Sequence, residues 1–199
     1  SLFSGDTNAF YSEDDPNNLS PIAKSFMAGL LRHAAEITAV TNQTVNSYKR
    51  LVPGFEAPVH ISWARNNRSG LIRVPIPKRG SASATRIEYR SPDPACNPYL
   101  AFSVILAAGM KGIREGYELE PEADANLFEM DDAALDKLGI RQLPQSLNDA
   151  LKVMETSELV QEALGEHIFE WFLRNKRHEW REYKTQVTPF ELNRYLKSL

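Results

Sequence analysis

The fold class follows from residues 86–100, which read RIEYRSPDPACNPYL. Residues 86–90 alternate between charged and apolar side chains with the period of two that is typical of a β-strand. After a turn bounded by prolines, Asn97 precedes Pro98 and a long apolar run, which predicts an N-cap and a helix to about Tyr117. We therefore expect an α+β fold, with an antiparallel sheet backed by helices.

The alternation in residues 86–90 places Ile87 and Tyr89 on one face of the strand and three charged residues on the other. A carboxylate between two guanidiniums can be a structural ion pair or a ligand site, and the strand pattern alone leaves both open. The charged residues are Arg86, Glu88 and Arg90.

Upstream, Ser20 and Pro21 predict the start of another helix, whose apolar residues recur every 3.6 positions. Between residues 45 and 90 the pattern changes to short extended runs separated by prolines and glycines, which predicts strands joined by functional loops. The last part of the chain is predicted to be helical near residues 146–154, 158–183 and 189–199, with a break around Gly165 and a capping box at Thr188 and Glu191. In the helix after Pro98, the glycine spacing predicts close packing against another backbone at Gly109, Gly112 and Gly116.

The composition is that of a folded protein, with 42% hydrophobic residues and 199 residues in all. The best membrane candidate, residues 100–110, is interrupted by Ser103 and Gly109 and is shorter than the roughly 18 residues that a span needs. A single cysteine, Cys96, favours a reducing compartment, and we expect a cytoplasmic protein. Because the chain begins Ser-Leu-Phe without an initiator Met, we expect an internal cut.

Charge is strongly segregated along the chain. Residues 46–90 hold nine cations against two acids, whereas the remaining residues hold 14 cations against 24 acids. Seven of the nine cations are arginines, whose planar guanidinium suits carboxylates and phosphates. We call residues 46–90 the basic segment, and phosphate is its leading candidate ligand.

One acid of the basic segment lies in residues 46–58, NSYKRLVPGFEAP. Glu56 there occupies a loop with prolines on both sides and a glycine nearby. Such a carboxylate can act as a movable general base.

The run NSYKRLVPGFEAP closely resembles the flap region of bacterial and archaeal type I glutamine synthetases. The similarity continues through NRS at 67–69, IRVP at 72–75, RIEYR at 86–90 and DPACNPYL at 93–100, and then through NLF at 126–128 and ALGEH at 163–167. This order of motifs covers essentially the whole chain, and no general requirement of a fold would produce it. The chain is thus identified as similar to the C-terminal part of that family's catalytic domain, with the N-terminal domain and the first half of the catalytic domain absent.

The resemblance implies that four residues bind the substrates or take part in the reaction. Arg50 and Arg90 would hold glutamate. Arg68 would contact the transferring phosphoryl group and ATP. Glu56 would be the flap glutamate that closes over the active site and helps remove a proton from ammonium.

The resemblance also implies which residues bind the nucleotide and the metal. Arg73 and Arg86 would bind ATP, and Ser1 would lie near the nucleotide. Glu88 would be a ligand of Mg²⁺ or Mn²⁺ near the nucleotide phosphates, which agrees with the preference of hard cations for carboxylate oxygens. The tyrosine that is adenylylated in enteric relatives aligns with Phe128, so that control is expected to be absent.

For the architecture, the resemblance implies that residues 1–199 are a portion of the catalytic domain. Residues 45–90 would supply the flap and part of the antiparallel sheet of the active-site barrel, and residues 97–199 would be mostly helical. The complete enzyme would be a homo-oligomer, a dodecamer of two hexameric rings, with no nucleic-acid or membrane partner.

Three functions compete. The first is ATP-dependent ligation of ammonia to glutamate through γ-glutamyl phosphate, with this chain supplying the flap, the arginines and one metal carboxylate and being inactive alone. The second is a related ligase that joins glutamate to a larger amine, which the presence of Glu56 disfavours. The third is a non-catalytic module that binds anions or nucleic acid, which is disfavoured because the basic segment has few interleaved aromatic residues and no recognised binding motif.

Overall fold

The computed structural model describes residues 1–53, 57–65, 69–75, 82–123, 127 and 130–196. Helices dominate these residues. They are α1 (Pro21–Arg32), α2 (Ala34–Thr41), α3 (Ser47–Arg50), α4 (Pro98–Arg114), α5 (Asp132–Lys137), α6 (Leu147–Glu155), α7 (Glu158–Leu164), α8 (Glu166–Lys184) and α9 (Pro189–Tyr195). The strands are β1 (Phe3–Ser4), β2 (Thr7–Asn8), β3 (His60–Ala64), β4 (Gly70–Arg73) and β5 (Glu88–Tyr89).

The predicted helix starts are confirmed. The Ser20 side chain accepts a hydrogen bond from the backbone N–H of Ala23, and the Asn97 side chain caps α4 in the same way. Thr188 and Glu191 form the capping box of α9. The predicted break at Gly165 is also confirmed, because its φ of +73° separates α7 from α8.

Helices α1 and α4 pack at backbone contact distance. A Cβ added to Gly112 would lie 2.1 Å from the carbonyl oxygen of Ser25, and one added to Gly109 would lie 2.1 Å from the Phe26 ring. The close packing predicted for these two glycines is confirmed. The same prediction for Gly116 is wrong, since no atom of the described residues lies within 4 Å of a Cβ added there. Its φ of +63° instead suits the chain reversal after α4.

The α+β prediction is confirmed, but the main sheet is mixed where an antiparallel sheet was expected. Its order is β3–β4–β5, and β4 pairs antiparallel with β5, whereas β3 pairs parallel with β4. A parallel pair ordinarily needs a crossover of about a dozen residues or more. Residues 65–69 are much shorter than that, so nothing in their spacing indicated parallel pairing.

The sheet rests on the helices through β4, where Leu71 and Ile72 are fully buried. They belong to one continuous core that also includes Met27 and Leu30 of α1 and Met154 of α6. The end of β4 emerges from this core, because Arg73 is the exposed residue of that strand. Among the residues just given as described, no helix is long and apolar enough to cross a membrane.

Candidate active site

The pairing of β4 with β5 sets Arg73 directly opposite Glu88. Nη1 of Arg73 lies 3.1 Å from Oε2 of Glu88, and Nη2 of Arg86 lies 3.1 Å from Oε1 of the same carboxylate. One carboxylate is therefore held between two guanidiniums, each bonded to a different oxygen. We call these three residues the charged cluster.

The charged cluster faces solvent. The side chains of Arg73, Glu88 and Arg86 are 46%, 32% and 52% exposed, respectively. Ion pairs at such exposure contribute little to stability, about 0–1 kcal/mol each. A structural ion pair would gain little here, so the arrangement favours the interpretation as a ligand site.

The other face of this strand anchors the charged cluster. Ile87 and Tyr89 pack against the hydrophobic core, as the alternation predicted. Burial raises the pKa of Tyr89 to about 12. Tyr89 is thus a neutral phenol at physiological pH, and its role is to hold the strand.

Arg86 and Glu88 share a face, as predicted, but the second guanidinium on Glu88 belongs to Arg73. Arg90 instead donates from Nη1 to the carbonyl oxygen of Gly70, at 3.4 Å, and from its backbone N–H to Leu71. The sequence pattern paired Glu88 with its neighbours on its own strand. It could not show which residue of β4 would lie across from Glu88.

Arg50, at the end of α3, reaches the segment that follows Arg90. Its Nη2 donates to the carbonyl oxygens of Ser91 and Pro92, at 2.6 and 2.7 Å. Its Nε is buried and meets no hydrogen-bond acceptor in the part of the chain that the structure describes. The two arginines predicted to bind glutamate are thus both fixed to the backbone around the end of β5.

Ser1 lies beside the charged cluster. Its Oγ donates to the carbonyl oxygen of Thr85 at 2.9 Å. Thr85 directly precedes Arg86 in the chain. These contacts place Ser1 next to one of the predicted nucleotide-binding arginines.

Asn8 is a positioning residue that the sequence reasoning missed. Its Nδ2 donates to the carbonyl oxygens of Ala82 and Thr85, at 2.9 and 2.8 Å, and its Oδ1 accepts from the backbone N–H of Phe10. Asn8 thereby ties the β1–β2 hairpin to the turn that leads into Arg86. A single asparagine in a polar N-terminal stretch gave no signal of this, because its partners lie more than 70 positions away.

Three predicted residues, Glu56, Arg68 and Phe128, lie outside the described residues. Within the described ranges there is no group of three or more His, Cys, Asp or Glu side chains that could hold a metal ion. Glu88 is the residue predicted to bind the metal, and it offers one carboxylate. That fits Mg²⁺, which proteins commonly bind through one or two carboxylates together with substrate phosphates.

A cavity of about 770 Å³ lies elsewhere, between α1, β3 and residues 117–123 and 138–141. None of the predicted site residues that the structure describes lines it. Its lining is mostly apolar, whereas the side chains of the charged cluster can bind charged ligands. We therefore place the candidate site at the charged cluster.

Together, the fold and the site define a mixed α+β protein in which a sheet presents arginines around one carboxylate. The family model described as "Glutamine synthetase, catalytic domain" matches residues 1–195. This chain belongs to the glutamine synthetase family.

Relatives and solved structures agree with this assignment. A glutamine synthetase of Mycolicibacterium smegmatis is 59% identical over 196 residues, and one of Methanosarcina mazei is 51% identical over 199 residues. These alignments cover 98% and 100% of this chain but 44% of each relative, so the chain spans under half the length of the relatives it matches. A solved structure described as "GmaS/ADP complex-Conformation 1" superposes with a TM-score of 0.81 at 38% identity, covering 96% of this chain and 43% of that one.

Proposed function

We propose that the protein carrying this chain ligates ammonia to glutamate at the expense of ATP, through γ-glutamyl phosphate. The observation that carries the proposal is the charged cluster, in which one carboxylate lies between two arginines in a chain of the glutamine synthetase family. The solved relative described as an ADP complex supports a nucleotide site in this fold.

In this proposal the arginines bind and orient the two anionic substrates. Arg50 and Arg90 hold the carboxylates of glutamate, and their bonds to backbone carbonyls fix where those charges lie. Arg73 and Arg86 contact the phosphates of ATP, with Ser1 beside them. Positive charge spread around a transferring phosphoryl group is what stabilises its transition state.

Glu88 would hold Mg²⁺ or Mn²⁺, which when bound neutralises phosphate charge and polarises the phosphoryl oxygen. Arg68 would contact the phosphoryl group as it moves to the γ-carboxylate of glutamate. Glu56 would close over the acyl phosphate, exclude water and accept a proton from ammonium. The roles of Arg68 and Glu56 rest on the resemblance of their motifs.

We further propose that residues 1–199 form the C-terminal portion of the catalytic domain, with residues 45–90 supplying the flap and the active-site sheet and residues 97–199 the helical part. The complete protein would be a cytoplasmic dodecamer. Exposed apolar side chains at and around α9 support a subunit contact there; they are Val187, Phe190, Leu192, Tyr195 and Leu196.

The test measures glutamine and ADP formed by the full-length protein from glutamate, ATP and ammonium. We expect equal amounts of glutamine and ADP. Glu56→Ala should lower the ratio of glutamine to ADP, because water then competes for the acyl phosphate, and the rate should fall by about 10²–10⁴. Circular dichroism checks that the variant folds.

The competing function is tested in the same assay with a primary alkylamine in place of ammonium. Faster product formation with the alkylamine than with ammonium would contradict glutamine synthesis and would show that the protein is a γ-glutamyl-amine ligase. Glu88→Gln should reduce the rate with either amine, so an unchanged rate in this variant would refute the metal role of Glu88. The 199-residue chain tested alone should form no measurable glutamine, because Glu88 is its one proposed metal carboxylate.

A further inference from the structure

The turn that precedes Arg86 is held in place by side chains from the start of the chain. Residues Ala82–Ala84 form a 3₁₀ turn, and the backbone N–H of Thr85 donates to the carbonyl oxygen of Ala82 at 3.2 Å. A 3₁₀ turn is short and has poor hydrogen-bond geometry, so its position depends on its neighbours. Within the described residues, the hydrogen bonds that join this turn to distant parts of the chain come from Ser1 and Asn8.

Asn8 makes two of these three bonds. Its Nδ2 donates to the carbonyl oxygen of Ala82 at 2.9 Å and to that of Thr85 at 2.8 Å, so one amide group reaches both ends of the turn. Asn8 is only 7% exposed, and water therefore has little access to replace these bonds. Asn8 fixes the two ends of the turn relative to each other and to β2.

Asn8 is itself held by the hydrophobic core. Its Oδ1 accepts a hydrogen bond from the backbone N–H of Phe10 at 3.1 Å. Phe10 is buried, and its ring centroid lies 5.3 Å from that of Phe26 in α1. The carbonyl oxygen of Phe10 also accepts from the backbone N–H of Ser20, the N-cap of α1, at 2.9 Å. Asn8 thus connects the turn to the core and to the start of α1.

The position of Arg86 depends on this turn. Its backbone lies between Thr85 and β5, which begins at Glu88. Its guanidinium is 52% exposed, and an ion pair at that exposure, here with Glu88, holds a side chain only weakly. The turn therefore fixes the chain on the N-terminal side of Arg86. Small displacements of a group that positions a ligand weaken its contribution strongly.

We propose that Asn8 is a positioning residue for nucleotide binding, which acts by fixing the turn that leads into Arg86. This inference rests on the proposed function, in which Arg86 contacts nucleotide phosphates. The two arginines proposed to bind glutamate, Arg50 and Arg90, donate to carbonyl oxygens of other segments. Loss of the Asn8 side chain should therefore weaken nucleotide binding and leave glutamate binding unchanged.

The experiment uses the full-length protein and measures two quantities. They are the dissociation constant of ADP in the presence of Mg²⁺, by isothermal titration calorimetry, and the KM for glutamate. Asn8→Ala should raise the dissociation constant of ADP roughly tenfold, the effect of about two hydrogen bonds of ordinary strength. The KM for glutamate should stay within about twofold of the wild-type value.

Asn8→Asp separates the two sides of this residue. The aspartate keeps an acceptor for the N–H of Phe10 but has no donor for the turn when ionised. It should therefore weaken ADP binding at least as much as Asn8→Ala does. ADP binding like that of the wild type in Asn8→Asp would refute the role of the bonds to the turn.

A double variant tests whether Asn8 acts through Arg86. Arg86→Ala should weaken ADP binding, and adding Asn8→Ala should weaken it no further, because the effect of Asn8 requires the guanidinium. A full additional loss in the double variant would refute this route. If Arg86→Ala weakens ADP binding and Asn8→Ala does not, the inference fails and the phosphate role of Arg86 stands. If Arg86→Ala leaves ADP binding unchanged, or if the wild type binds no ADP, both fail.

Ser157→Ala is the matched control for loss of stability. Ser157 is 5% exposed, and its Oγ accepts from the backbone N–H of Val160 as the N-cap of α7. This variant should unfold at a lower urea concentration than the wild type and bind ADP equally well. If Ser157→Ala weakens ADP binding as much as Asn8→Ala does, the effect of Asn8 is general destabilisation and its positioning role is refuted.

Discussion

The three glycines of α4 and its C-terminal turn should respond differently to substitution by alanine, although their spacing in the sequence is regular. A Cβ at Gly112 would lie 2.1 Å from the carbonyl oxygen of Ser25 and 2.8 Å from backbone atoms of Gly29. A Cβ closer than 3.0 Å to another atom forces the surrounding structure to move, and the atoms nearest to a Cβ at Gly112 belong to the backbone of Ser25 and Gly29. Helices α1 and α4 would therefore have to separate by about 1 Å, which loses a quarter to a half of the dispersion energy of each contact between them.

We expect Gly112→Ala to lower the free energy of unfolding by about 2–3 kcal/mol. Overpacking at a rigid contact costs roughly 3–4 kcal/mol, at or above the top of the usual range, and replacing a helical glycine returns about 1 kcal/mol through helix propensity. Gly109→Ala meets the Phe26 ring, a side chain that can rotate, so we expect about 1–2 kcal/mol. Gly116→Ala meets no neighbour among the described residues and should cost about 1 kcal/mol from its positive φ.

The assay is urea unfolding followed by circular dichroism, comparing midpoints at equal slope. Gly29→Ala combined with Gly112→Ala should cost less than the sum of the two single changes, because one separation of the helices relieves both clashes. If Gly112→Ala unfolds at the same urea concentration as Gly116→Ala, the contact between α1 and α4 does not limit stability and the reasoning fails.

Three other outcomes are expected. Burial alone would raise the pKa of Glu36, but hydrogen bonds with His33 and Ser157 outweigh it and hold the pKa below the usual 4.5. The ionised Glu36 therefore stabilises the fold above about pH 4.5, and this stabilisation is lost as the pH falls through the folded-state pKa. In acid titrations of stability, Glu36→Gln should remove that part of the pH dependence. Thr188→Ala should speed amide hydrogen exchange within α9, by an amount equivalent to about 1 kcal/mol, without changing global stability, because α9 is exposed throughout its described length. Arg50→Lys should raise the KM for glutamate roughly 10–100-fold in steady-state kinetics, since it loses the two bonds to Ser91 and Pro92 that aim the guanidinium.

Local chemistry accounts for what the sequence predicted well. The caps at Ser20, Asn97 and Thr188 depend on a side chain and a backbone N–H two or three residues away, so residue type and spacing suffice. The alternation that put Arg86 and Glu88 on one face is likewise a property of one extended segment, although only Glu88 and Tyr89 of it form β5. Gly116 shows the limit, because a regular glycine spacing cannot tell a close contact from a left-handed turn.

Features that depend on distant residues were not predictable in this way. The register that places Arg73 opposite Glu88, the parallel pairing of β3 with β4 and the bonds from Asn8 to the turn at 82–85 all join segments that the core brings together. The assignments of Glu56 and Arg68 depend on motif resemblance and stay predictions.

The charged cluster also explains how part of a strongly basic segment can fold at little electrostatic cost. Arginines gathered around a phosphate site repel one another when the site is empty, and burial would make that repulsion costly. Here Arg73 and Arg86 remain about half exposed to water and share Glu88, while Ile87 and Tyr89 on the opposite face supply the apolar contacts that hold the strand. Glu88 thus compensates both arginines, and their exposure to water limits the cost of holding two guanidiniums side by side.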